Sequence, residues 1–167
     1  EEVKIFDKGY EINNNQDTYT NLTQIRNGDI VVPNIQKSEP LKEVVLDSKK
    51  PLLGICLGMQ LLASKSEENG KYEGLSFIPG TVKKIPQKKN IRLPHIGWNE
   101  IELQNKSQVF NGIKNRDSFY FVHSYRFECE QEYILATTNY GGNIVASVQS
   151  KNIFGMQFHP ERSQRKG

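Results

Sequence analysis

The run Gly54-Ile55-Cys56-Leu57-Gly58 constrains this chain more tightly than any other segment. It lies between an apolar stretch, Pro51-Leu52-Leu53-Gly54-Ile55, and a helical pattern beginning Met59-Gln60-Leu61-Leu62. A buried strand that turns directly into a helix forces the corner residue into strained backbone, and small neighbours make such a corner possible. Glycine is therefore expected at 54 and at 58 to relieve collisions with helix and strand. The corner sets the Cys56 sulfur beside the first free amides of the helix, where the helix dipole favours thiolate and the Leu57 amide faces a developing oxyanion. Free cysteine is also a common core residue, and a buried structural thiol is the alternative reading. The paired glycines and the strand-to-helix context favour a nucleophile.

The rest of the chain suits an α/β domain. Val3-Lys4-Ile5-Phe6 alternates like a strand, and Asp29-Ile30-Val31-Val32-Pro33 is an apolar run stopped by proline. Ser38 to Leu46 reads as an amphipathic helix with apolar residues at 41, 44 and 45, and Leu57 to Ser66 as the helix leaving the corner. The first half runs strand, helix, strand, helix, which predicts parallel pairing with helices on the faces of the sheet. The second half is strand-rich, with β-like runs over Gly97–Leu103, Phe119–Phe127, Tyr133–Thr138, Ile144–Val148 and Ile153–Phe158. One central mixed, mostly parallel sheet flanked by helices is the expected architecture.

With 167 residues, the chain suits one domain. Its 36% hydrophobic and 25% charged residues are the balance of a globular protein, and no apolar run approaches the roughly 20 residues of a spanning helix. An acidic start without an apolar leader points to the cytoplasm and away from a membrane. The 22 Lys and Arg are scattered against 19 Asp and Glu, with no basic stripe interleaved with aromatics, so nucleic acid is not an expected partner.

A cysteine nucleophile works with a base, and the chain has three histidines. His159 follows the apolar strand 153–158 in His159-Pro160-Glu161, at the strand end where α/β active sites gather. Proline extends the residue before it, so Glu161 can accept from the His159 ring and fix its tautomer. His123, within the aromatic strand Phe119 to Tyr125, reads as a core or wall histidine, and His95, beside Pro94, as an exposed turn histidine. No pair among these residues has the short spacing of a metal site, so neither metal nor cofactor is expected. Cys129, flanked by Glu128 and Glu130, reads as structural.

Together, Pro51 to Leu62 and Gly155 to Glu161 resemble the two signatures of class I glutamine amidotransferases, a flavodoxin-like family. Leu93-Pro94-His95-Ile96-Gly97-Trp98-Asn99 and Tyr120-Phe121-Val122-His123-Ser124-Tyr125 resemble segments of one branch, the glutaminase subunits of imidazole glycerol phosphate synthase. The resemblance implies a Cys56, His159 and Glu161 triad, with Leu57 as an oxyanion donor. It implies a glutamine site at Gly58, Gln60, Glu68, His123, Ser124 and Tyr125. It also implies a partner face at Trp98, Asn99 and Arg162, against a (β/α)8 synthase subunit that receives ammonia and forms imidazole glycerol phosphate in histidine biosynthesis.

Two departures stand out. The family's Pro-Gly-x-Gly oxyanion loop is replaced by Pro33-Asn34-Ile35-Gln36, and neither an N-terminal helix between Asp7 and Asp29 nor a last helix is legible. A domain spanning 1–167, shortened in its N-terminal region and at its C-terminus, is the resulting expectation. A paralogous glutaminase feeding another amidating synthase, or a noncatalytic partner-binding subunit, remain the alternative readings.

Overall fold

The computed structural model describes residues 40–89 and 91–167. The expected strands at 3–6 and 29–33, the first residues of the helix at 38–46 and the turn after Pro33 lie outside the described residues. Helix α1 (Pro40–Lys42) runs on as a π-helical turn over Glu43–Asp47. Of the apolar positions expected to face the core there, Val45 is buried and Leu41 and Val44 are exposed.

The central element is a parallel pair: β1 (Leu52–Ile55) lies beside β11 (Ile153–Met156), with Gly54 opposite Gly155. The sheet continues antiparallel through β10 (Asn143–Ser150), β9 (Ile134–Asn139) and β6 (Glu102–Leu103). A second sheet joins β3 (Tyr72–Glu73), β2 (Lys65–Ser66), β4 (Thr81–Lys84) and β8 (Tyr125–Glu128), and a third pairs β5 (His95–Glu100) with β7 (Ser118–His123). The mixed character matches expectation. Within the described residues, however, only β1 with β11 and β2 with β4 are parallel, and the other pairs are antiparallel. The strand-rich second half closes by short connections, and short connections join antiparallel neighbours.

The expected run Phe119–Phe127 is two strands broken at Ser124. Beyond the break the chain changes sheets, leaving β5 for β4, and the Ser124 carbonyl accepts from Ile85 N at 2.9 Å. The run Gly97–Leu103 is likewise interrupted at the fully buried Ile101.

Two hydrophobic clusters hold the large sheet. Ile134 and Val145 belong to one, with Met59, Leu62, Val82 and Phe127; their neighbours Leu135 and Ala146 belong to the other, with Phe119, Phe121 and Phe158. Successive side chains of a strand point to opposite faces, so the sheet is covered on both. That explains why Ile134-Leu135-Ala136 reads as a continuous apolar run rather than an alternating one.

Helix α2 (Leu57–Leu61) is half the length expected from Leu57 to Ser66. Its final carbonyls are taken by the backbone of the next loop. Leu75 N donates to Leu61 O at 2.8 Å, Phe77 N and Ile78 N to Leu62 O at 3.0 Å each, and Ser76 N to Ala63 O at 3.0 Å. Ser64 and Ser66 add little to helix propensity, and these loop amides satisfy the helix end. Gly74 is required for the approach, since a Cβ there would lie 2.1 Å from Ala63 O.

The helix also lies close against the strands. A Cβ at Gly54 would meet Gly58 O at 2.5 Å and Met59 N at 2.8 Å; one at Gly155 would meet Met59 Cγ at 2.7 Å and Val148 Cγ2 at 2.8 Å. Gly58 differs from the expectation that both glycines of the corner relieve collisions: among the described residues a Cβ there meets nothing within 4 Å. The backbone that crowds Gly54 is that of α2 itself, at Gly58 and Met59. Gly54→Ala is therefore expected to lose about 1–3 kcal/mol of stability by overpacking, while Gly58→Ala is neutral or gains up to about 1 kcal/mol from better helix propensity. Denaturant unfolding of the two variants checks this, and equal losses would refute the difference.

Candidate active site

Cys56 occupies the corner between β1 and α2 with φ 51° and ψ −107°, a left-handed conformation that a non-glycine residue rarely adopts. The flanking parallel pair holds it there, because Cys56 N donates to Met156 O at 2.7 Å. Strain held by surrounding structure at a half-buried turn is the geometry of a nucleophile elbow. The sulfur lies 3.9 Å from the Val122 carbonyl and 3.8 Å from Gln157 Nε2, which donates to it.

Burial pushes the Cys56 thiol above the ordinary cysteine range. The Leu57 amide works against this, the charges of Glu161 and Glu68 add to it, and the Gln157 amide opposes it. The expectation of a thiolate favoured by the helix dipole is thus corrected: the resting group is a thiol. A helix of five residues offers few aligned peptides, and desolvation of the sulfur outweighs them. The Leu57 amide does point at the sulfur, as expected.

His159 follows β11 at the same end of the sheet. Its amide donates to Tyr120 O at 2.8 Å and its carbonyl accepts from Ser163 Oγ at 2.6 Å, while that same hydroxyl accepts from Tyr120 N at 3.0 Å. The turn carrying His159-Pro160-Glu161 is thereby tied to β7. His159 Nδ1 lies 2.7 Å from Glu161 Oε1. A carboxylate only accepts, so Nδ1 carries a proton, and in the neutral ring Nε2 then holds the lone pair. Among the described residues that buried Nε2 has no hydrogen-bond partner. The structure therefore brings a thiol, a histidine with a free basic nitrogen and an orienting carboxylate to one strand end. No hydrogen bond joins the sulfur to His159 among the described residues. Glu161 is 58% exposed, so its pairing orients the ring more than it stabilises the fold.

Of the residues expected to surround glutamine, Gln60 reaches the sulfur through Gln157, and Glu68 acts on it by charge. Gln60 is buried, donating to Tyr125 O at 3.2 Å and to Gln157 Oε1 at 2.9 Å. Glu68 is half-buried after β2, near enough for its charge to act on Cys56. Among the described residues nothing lies within 4 Å of where a Cβ at Gly58, on the first turn of α2, would stand. His123, Ser124 and Tyr125 mark the junction of β7 and β8, and His123 is the buried wall histidine that the aromatic strand predicts.

His95 is a correction. Instead of an exposed turn residue, it is a strand residue 2% exposed, stacked between Phe121 at 4.8 Å and Tyr140 at 3.8 Å. Pairing of β5 with β7 sets it opposite His123 and turns it inward. Trp98 projects to the other side and is 47% exposed. Tyr120 stands edge-on to it at 6.1 Å, and the Arg162 guanidinium lies 5.4 Å over the Tyr120 ring. Trp98 and Arg162 are thus linked through Tyr120, whereas Asn99 faces inward to His95 and Asn139. Cys129 is half-buried against the core, its thiol pushed up to about 11 by burial and by Glu130.

Gln157, Ser163 and Tyr120 were not singled out from the sequence. Gln157 had a visible signal: an amide inside the apolar run Met156-Gln157-Phe158 must find partners when buried. Ser163 and Tyr120 had none, because their roles depend on strands that meet only in the fold.

The family model for class-I glutamine amidotransferases matches residues 3–167. The chain is 50% identical over 129 residues to imidazole glycerol phosphate synthase subunit HisH 1 of Campylobacter jejuni, covering 77% of this chain and 64% of that protein. It is 46% identical over 138 residues to the subunit HisH of Pyrococcus furiosus, covering 80% of this chain and 70% of that protein. The chain thus spans less than two thirds of the Campylobacter relative's length. A solved glutamine amidotransferase of Thermotoga maritima shares the fold, with a TM-score of 0.54 at 23% identity over 75% of this chain and 48% of that one.

Because burial raises both thiols, alkylation by iodoacetamide is expected to be still accelerating at pH 9 for Cys56, and to begin later for Cys129, whose thiol is held near 11. Mass spectrometry of each labelled peptide across pH 6–11 reads both. A Cys56 midpoint below pH 8 would contradict the burial argument.

Proposed function

The chain belongs to the class I glutamine amidotransferases, in their HisH-like branch, and from that premise we propose that it hydrolyses glutamine and passes the ammonia to a synthase partner. The observation that carries this reading is the positive-φ cysteine just past β1, at the same end of the sheet as His159, which follows β11, has its Nδ1 bound to Glu161 and has a buried Nε2 without a partner among the described residues.

In this reading the Cys56 thiol gives its proton to His159 Nε2 as the sulfur attacks the side-chain amide carbon of glutamine. The Leu57 amide stabilises the oxyanion. His159 then returns the proton to the departing nitrogen, releasing ammonia and leaving a glutamyl thioester. A water, losing a proton to the same nitrogen, attacks the thioester, and sulfur leaves as the thiol with glutamate as product. A protonated resting thiol suits this cycle, since base and nucleophile then act in one step. Glu161 keeps His159 in the required tautomer. Gly58, Gln60, Glu68 and the strand His123-Ser124-Tyr125 are proposed to hold the glutamine.

Trp98, with Tyr120 and Arg162, is proposed to meet the (β/α)8 subunit, as one half of a cytoplasmic heterodimer that forms imidazole glycerol phosphate in histidine biosynthesis. Support comes from an exposed aromatic and arginine cluster, the residue types that anchor interfaces. A shallow hollow of about 340 Å³ beside it is lined by Trp98, Asn99, Glu100 and Glu102.

Cys56→Ala is expected to lower glutamine hydrolysis by at least about 10³-fold while synthase activity driven by added ammonia persists; Cys129→Ala leaves both intact. Retained hydrolysis in the Cys56 variant would end this mechanism. Trp98→Ala is expected to weaken binding of the synthase subunit about 10-fold or more without unfolding the chain, measured by calorimetry against the folded variant; unchanged affinity would move the interface elsewhere.

A further inference from the structure

The buried histidines opposite each other on β5 and β7 have a determinate proton arrangement. His123 Nδ1 lies 2.7 Å from the Tyr125 carbonyl, which only accepts, so that nitrogen bears hydrogen. Burial lowers the pKa of both rings to about 4, so each is neutral at ordinary pH and carries one proton. His123 Nε2 is then an acceptor. His95 Nδ1, 3.0 Å away, must be its donor, which leaves His95 Nε2 to accept from Asn99 Nδ2 at 3.4 Å. His95 cannot take the other tautomer without setting two lone pairs against each other.

The Tyr125 carbonyl that receives the His123 hydrogen also receives one from Gln60 Nε2, and the second Gln60 hydrogen goes to Gln157 Oε1. Gln157 Nε2 then points at the Cys56 sulfur. Both amides are thus fixed in orientation: a flipped Gln60 would present its oxygen to two acceptors. None of the steps from His95 to the sulfur involves an exposed group.

We propose that His95 is a positioning residue: by donating to His123 it fixes the histidine tautomer and, through the Tyr125 carbonyl, the Gln60 and Gln157 amides that hold the Cys56 sulfur. This rests on Cys56 being the nucleophile only for its consequence in turnover; the arrangement itself is testable on the thiol. The groups that act on that sulfur are the Leu57 amide, Glu161, Glu68, Gln157 and the Val122 carbonyl, which accepts from the thiol, and those that face the histidine pair electrostatically are the two rings themselves and His159.

The first measurement is ¹⁵N-imidazole NMR on the full chain, assigned with single histidine variants. Both His95 and His123 are expected as Nδ1–H tautomers; an Nε2–H signal from either ring overturns the proposal. The second is the pH profile of Cys56 alkylation by iodoacetamide, with Cys129 as reference. His95→Phe keeps a flat ring between Phe121 and Tyr140 but removes the donor, and is expected to move the Cys56 midpoint upward by about half a unit. His95→Gln, which restores a donor, is expected to bring it back, and Gln157→Met to move it at least as far as His95→Phe. If His95→Phe leaves the midpoint where it was, His95 is a packing residue alone and the proposal fails. Should His95→Phe move the Cys129 midpoint as well, its fold has loosened and the NMR tautomers decide. Iodoacetamide needs no glutamine, so a failure here is distinct from a failure of the glutaminase reading, which Cys56→Ala tests.

Discussion

Everything at the candidate site depends on the parallel pairing of β1 with β11. Parallel strands end on the same side, so residues far apart in sequence leave the sheet together: Cys56 from one strand, Gln157 to His159 from the next. The hydrogen bond from Cys56 N to Met156 O extends that ladder one residue past the strand and into the corner. Gly54 and Gly155 stand opposite each other in this register, and both make room for α2. Close helix approach, strained cysteine and adjacent histidine are therefore one packing solution. A larger residue at Gly54 would push helix from strand and move the sulfur with it.

That solution sets the chemistry. Sealing the corner against the sheet strips water from the sulfur, and the cost of desolvating a charge exceeds what a short helix and two amide donors return. The thiol is held in its neutral form at the end of the sheet that also carries His159, whose buried Nε2 has no hydrogen-bond partner among the described residues. A permanent thiolate would be available to oxidants and alkylators at all times; a thiol that ionises only as it attacks is protected between turnovers. The orienting carboxylate, Glu161, is itself mostly exposed, so the ring's direction is secured by backbone bonds to Tyr120 and Ser163 as well.

Much of this was legible in the sequence where the signal is local. The corner announces itself by glycines around a cysteine between an apolar strand and a helical pattern, and His159-Pro160-Glu161 by a proline that extends its neighbour. The strands from 133 onward fell within a few residues of their expected limits. What failed depended on tertiary partners. Helix α2 stops early because loop amides from 75 to 78 cap it, and no residue within the helix predicts that. His95 looked like a turn residue because of Pro94, yet its environment is decided by β7, 28 positions away. Gly58 looked like a steric necessity by symmetry with Gly54, but among the described residues only Gly54 is crowded, by the backbone of α2.

The β5–β7 pair illustrates why the inward and outward residues of this region must be read together. Alternation sends His95 and Asn99 inward and Ile96 and Trp98 outward on β5, while β7 sends Phe119, Phe121 and His123 inward and Tyr120 outward. Register aligns like with like: His95 faces His123, and Trp98 faces Tyr120. A slip of β5 by one residue would turn its two faces over, burying an indole where an imidazole must donate and exposing His95. The exposed aromatic cluster and the buried polar chain to the sulfur are consequently two sides of one ladder. Neither can be built in this register without the other, so whatever fixes the pairing of these strands also fixes the amides around Cys56.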